Sequence, residues 1–74
     1  MAKIIRQKDR DRIGMKLKNL RNAAGLSLGA LAERTGLDAG HLCRIESGKY
    51  NVGVDALSAI AESLGKKIEF VDIE

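Results

Sequence analysis

The 74 residues predict a mainly α domain, with four short helices followed by a short C-terminal β-strand that pairs across a dimer. Three observations lead there. Apolar residues recur at intervals of three and four through most of the chain, the spacing of one helix face. Gly, Ser, Asp and Asn stand between these periodic runs, and the chain has no proline. From Lys66 the period shortens to two, in a segment rich in β-formers.

Residues 1–8, MAKIIRQK, form a basic arm around the pair Ile4-Ile5. Such an arm can be loose, can track a phosphate backbone, or can add a short strand. The first helix is predicted from Asp9 to Ala24, where Ile13, Leu17, Leu20 and Ala24 lay an apolar stripe along one side. A carboxylate in its first turn, Asp9 or Asp11, suits the helix dipole. Gly14 costs about 1 kcal/mol relative to Ala inside a helix, so it marks a close contact or a solvated face.

Leu26 to Gly48 reads as two short helices joined by a tight turn. Ser27 caps the first, whose inner positions are Leu28, Leu31 and Ala32. Gly36 suits a left-handed turn residue. Asp38 caps the second, with Leu42 and Ile45 facing inward and Ser47-Gly48 at its exit. Two helices of about two turns each, joined by a Gly-containing turn, fit the helix-turn-helix description. Neither is long enough to stand alone, so both depend on flanking helices. A fourth helix runs from Val54 to Leu64, with Val54, Leu57, Ile60, Ala61 and Leu64 inward and Gly65 at its C-terminus.

In residues 66–74, Ile68 and Phe70 alternate against Val71 and Ile73. The strand can fray, pair with residues 3–6, or pair with its own copy in a second chain. Apolar side chains on both faces favour the intermolecular pairing. The predicted organisation is therefore an arm (1–8), a helical domain (9–65) and a dimerising strand (66–74).

Charge is unevenly placed. Residues 1–50 carry eleven Lys/Arg and five Asp/Glu, whereas residues 51–74 carry two and five. The basic part points to a polyanionic partner. One Cys excludes an internal disulfide and a Cys-rich metal site, and with a single His no structural zinc site is expected. No 18-residue apolar run and no signal-peptide core is present, so a cytoplasmic protein without membrane association is expected. The residues assemble no carboxylate pair beside a His, no phosphate loop and no activated nucleophile. Neither an enzyme nor a cofactor is expected.

Several residues then carry a resemblance. Leu20-Arg21, Gly25-Leu26-Ser27, Leu31-Ala32, Gly36-Leu37, Leu42 and Arg44-Ile45-Glu46-Ser47-Gly48-Lys49, closed by Leu64-Gly65, resemble the phage-repressor (Cro/XRE-type) helix-turn-helix family. The likeness covers Ile13 to Gly65 and implies a repressor-like domain that binds double-stranded operator DNA as a homodimer. The C-terminal strand resembles that of some small regulators and antitoxins. By this resemblance Ala39, Gly40, His41 and Arg44 face base edges, with Arg44 suited to guanine. His41 can alternatively be an exposed residue of no consequence, and Arg44 a phosphate contact.

Phosphates are assigned to the N–H groups at Ser27-Leu28-Gly29 and to Lys49, Tyr50 and Asn51. Lys16 and Lys18 join them, with Arg10 and Arg12 as further candidates. The resemblance also implies a structural pair, Arg21 with Glu46, since a buried Glu requires a partner. Cys43 is read as a small buried hydrophobe, with redox sensing as the alternative. The chain departs from the family at Leu28, Ala39 and Gly40, where polar side chains are common. Base reading is then expected to be modest, narrow, or routed through DNA shape.

The expected function is sequence-specific DNA binding by a small dimeric transcriptional regulator, an autoregulating repressor. The alternatives are an antitoxin that represses its own operon and binds a toxin protein, or a protein-interaction module that binds no DNA.

Overall fold

The computed structural model describes residues 3–74 and contains four helices, α1 (Gln7–Ala23), α2 (Leu28–Thr35), α3 (Ala39–Glu46) and α4 (Val54–Ser63). The first two residues of the basic arm lie outside the described residues. Of the rest of the arm, residues 3–6 form no regular element, and Gln7 and Lys8 open α1.

Helix α1 begins two residues earlier than its apolar stripe suggests. The Gln7 side-chain amide donates to Asp11 Oδ1 at 2.8 Å and to the Gly48 carbonyl at 2.7 Å, which draws the first turn onto the exit of α3. Helix α2 starts at its cap, where Ser27 Oγ accepts from the Ala30 N–H at 3.0 Å. Thr35 Oγ1 closes the helix by donating to the Leu31 carbonyl at 2.9 Å and accepting from the Leu37 N–H at 3.2 Å. Gly36 reverses the chain at φ 76°, a conformation that costs a side-chain-bearing residue a Cβ clash. Asp38 Oδ2 then accepts from the His41 N–H at 3.1 Å and starts α3.

The core draws on every helix. Leu17 of α1, Leu31 of α2, Leu42 and Ile45 of α3, and Ile60 of α4 form one buried cluster, ringed by half-buried residues including Ile13, Leu28, Leu37, Leu57 and Leu64. Because α1 packs on α3 and α2 packs on both α3 and α4, the helix-turn-helix is held from two sides.

Three expectations are corrected. The C-terminal strand does not form: residues 66–74 adopt no regular structure, and no β-strand exists among the described residues. A strand needs a neighbouring edge for its main-chain groups, and residues 3–6 provide none. The side chains of Ile68, Phe70, Val71 and Ile73, expected to form that strand, are instead exposed. Val54 is 74% exposed, because as the first residue of α4 it projects beyond the core. Cys43 is exposed rather than buried.

Candidate nucleic-acid interface

The frame of the interface is the buried pair between α1 and α3. Arg21 Nε donates to Glu46 Oε2 at 2.7 Å and Nη2 to Oε1 at 3.0 Å, a two-pronged contact. The third nitrogen, Nη1, donates to the Leu26 carbonyl at 2.7 Å, so one side chain ties together α1, the α1–α2 loop and the end of α3. Both residues are under 10% exposed (Arg21 8%, Glu46 9%). Hydrogen bonding to Glu46 holds the Arg21 guanidinium above its ordinary pKa against the opposing effect of burial. Every buried side-chain nitrogen and oxygen among the described residues has a partner.

Gly14 completes the frame. A Cβ there would lie 2.5 Å from the Ile45 carbonyl oxygen and 2.7 Å from that of Glu46, so α1 and α3 meet backbone to backbone. At the exit of α3 the chain turns through Gly48 at φ 74°, and its carbonyl accepts the bond from Gln7. No periodic signal in the sequence marks Gln7 for this role, since its partner is 41 residues away.

On this frame α3 turns its outer side to solvent. Arg44, Gly40 and Cys43 are exposed, whereas Ala39 and His41 are half-buried. A Cβ at Gly40 would lie 3.7 Å from Arg44 Nη1, so the guanidinium reaches back over the space the glycine leaves. Arg44 makes no ion pair among the described residues. The His41 ring meets Tyr50 edge to face at 4.4 Å and 62°, which joins α3 to the loop that follows.

Groups able to hold phosphate flank this surface. Ser27 and Gly29 are exposed at the start of α2, and the first-turn N–H groups of Leu28 and Gly29 have no intrahelical acceptor. The Leu28 side chain packs against the core, so only its backbone is available there. Lys49, Tyr50 and Asn51 are exposed in the loop after α3, with Arg10 lining the depression beside Tyr50 and Asn51.

The two lysines of α1 separate. Lys18 lines a hollow of about 190 Å³ with Leu28, Cys43 and Ser47, next to α3. Lys16 and Arg12 line the opposite groove, between α1 and α4. Residues two apart on a helix are turned by about 200°, which accounts for the split. Arg12 also donates to Asp9 at 3.3 Å.

Among the described residues, no helix is long and apolar enough to cross a membrane. The model of a helix-turn-helix domain matches residues 12–66 of the chain. Similar solved structures include the restriction-modification controller protein C.AhdI from Aeromonas hydrophila. It is 33% identical with a TM-score of 0.78, over 81% of this chain and 91% of that one. A helix-turn-helix transcriptional regulator from Vibrio cholerae is 36% identical with a TM-score of 0.78, over 82% of this chain and 34% of its own. The clp gene regulator ClgR from Corynebacterium glutamicum is 29% identical with a TM-score of 0.76, over 78% and 62%. No curated protein sequence matches the chain.

Proposed function

The chain belongs to the helix-turn-helix family of DNA-binding regulators, in the Cro/XRE-like superfamily, whose domains are not enzymes; on that premise we propose that it is a cytoplasmic, autoregulating repressor. As a homodimer it occupies an operator with two half-sites about one helical turn apart. Helix α3 enters the major groove, and Arg44 reads guanine while His41 and Ala39 approach neighbouring base edges. Gly40 lets the helix come close to the groove. The N-terminus of α2, Lys18 and the loop at Lys49, Tyr50 and Asn51 hold the backbone on either side.

The observation that carries this reading is the exposed Arg44, without an ion pair among the described residues, at the centre of a surface flanked by backbone N–H groups and cations. A buried frame holds that surface in place. Fluorescence anisotropy on the DNA upstream of the protein's own gene tests it. Tight binding that weakens as salt rises is expected. Arg44→Ala should cost about 1–3 kcal/mol on the operator and little on random DNA. An equal loss on both would make Arg44 a phosphate contact, and no binding at low salt would overturn the autoregulatory role.

A second reading has support in one observation, the 91% coverage of C.AhdI. Likeness over nearly that whole protein favours a controller of restriction and modification genes. The genes beside this one discriminate: a methyltransferase and nuclease support the controller, and a toxin-like protein the antitoxin alternative.

A further inference from the structure

The depression beside Tyr50 and Asn51 is a pocket of about 280 Å³ between the first turns of α1 and the loop that follows α3. Its floor is apolar, with Ile13 from α1, Ile45 from α3, Val52 from the loop and Leu57 from α4. Toward solvent it is lined by the exposed Tyr50 and Asn51 and the half-buried Arg10. Ile4 lies at its edge with 84% of its surface exposed, so the N-terminal arm leaves the pocket open.

Its charged groups are not equally engaged. The one carboxylate in the lining, Asp9, is taken by Arg6 at 3.1 Å and by Arg12 at 3.3 Å. Arg10 makes no ion pair among the described residues. A single free guanidinium beside an apolar floor suits one negative charge, and its planar fork matches a carboxylate. A phosphate monoester carries about 1.5 to 2 charges, more than this one cation balances. The volume equals about nine waters at roughly 30 Å³ each, enough for one ring or a short branched chain with its acid group.

We propose that this pocket binds a small carboxylic acid with an apolar body, and that its occupancy releases DNA; the release rests on the regulator reading of α3. Arg10 holds the carboxylate, and the body covers Ile13, Val52 and Leu57. Release follows from shared groups. Tyr50 and Asn51 belong to the loop that holds the DNA backbone in that reading, and the Tyr50 ring packs against His41 of α3 at 4.4 Å. A ligand against Tyr50 and Asn51 competes with the phosphate and displaces the ring that supports His41. The coupling is reciprocal, so DNA expels the acid as the acid expels DNA.

The chain has one Tyr and no Trp, so its tyrosine emission reports on this pocket. Titrating the full chain with phenylacetate, without DNA, is expected to change that emission with a dissociation constant of about 1 mM or lower. The neutral 2-phenylacetamide should bind about tenfold more weakly, and acetate, which lacks the body, should not saturate. Arg10→Met should weaken phenylacetate about tenfold and leave the amide unchanged, a difference that a loosened fold does not produce. Amide chemical shifts should move at residues 10–13 and 50–52.

Phenylacetate that does not saturate overturns the pocket. So does equal affinity for the amide, or an Arg10→Met variant that binds the acid as the wild type does. Anisotropy on the upstream duplex scores the release, with acetate replacing phenylacetate to keep ionic strength fixed. Saturating phenylacetate should raise the DNA dissociation constant about threefold or more, and an unchanged value overturns the release. A chain that binds phenylacetate but no DNA overturns the regulator reading and leaves the pocket standing.

Discussion

Glycines sort this molecule at the scale of single residues. At Gly14 a methyl group would strike two main-chain oxygens and the Glu46 carbonyl carbon, and backbone cannot swing aside as a side chain does. Alanine is normally the better helix residue by about 1 kcal/mol. Here overpacking should outweigh that gain, so Gly14→Ala is expected to destabilise by about 1–3 kcal/mol in urea denaturation. Gly29 offers the control. A Cβ there meets only Ser27 Oγ, at 3.8 Å, so Gly29→Ala should stabilise by up to about 1 kcal/mol. Equal effects at the two sites would refute the close packing of α1 on α3. Both glycines sit in helices, and sequence distinguishes them poorly because the atoms that matter to Gly14 lie some thirty positions away.

At the scale of elements, the pair Arg21–Glu46 holds α3 in register with α1. A domain of this length has about 4–11 kcal/mol of stability at the usual amount per residue. Arg21→Ala strands a buried carboxylate and is expected to cost about 3–5 kcal/mol, a large share of that stability, and to lower the midpoint of urea unfolding accordingly. Replacing both partners with Met should recover most of that loss. It should not recover all, because the half-buried Leu26 carbonyl also accepts from Arg21, and losing that bond costs up to about 1 kcal/mol. Full recovery in the double variant would show that the third bond contributes nothing.

What the sequence reveals about these elements depends on how local the cause is. Helices α2 and α3 are legible because Ser27, Gly36 and Asp38 act on residues within three positions of themselves. The start of α1 is not, since Gln7 is fixed by Gly48. Cys43 was open to a simple angular argument. Ile45, Leu42 and Glu46 span the buried arc of α3, and Cys43 lies about 100° beyond Leu42, on the side away from Ile45. The tail misleads for a different reason. Its alternation describes an extended segment, but a strand is a relation between two segments, and among the described residues no second segment pairs with it.

Over the whole molecule, cations divide between two faces that α1 separates, and a salt titration can tell them apart. Each phosphate contact on B-DNA contributes about −0.9 to the slope of log affinity against log salt. Lys18 stands beside Cys43 of α3 and Ser47 at its end, whereas Lys16 faces the α1–α4 groove. On a duplex with one half-site, where dimerisation does not enter, Lys18→Ala is expected to lower the magnitude of the slope by about 0.9, and Lys16→Ala to leave it unchanged. Both side chains are exposed, so neither change should alter folding. Equal losses would mean that the DNA wraps past α1 to its far side. A loss at Lys16 alone would place the duplex on the groove and remove α3 from it.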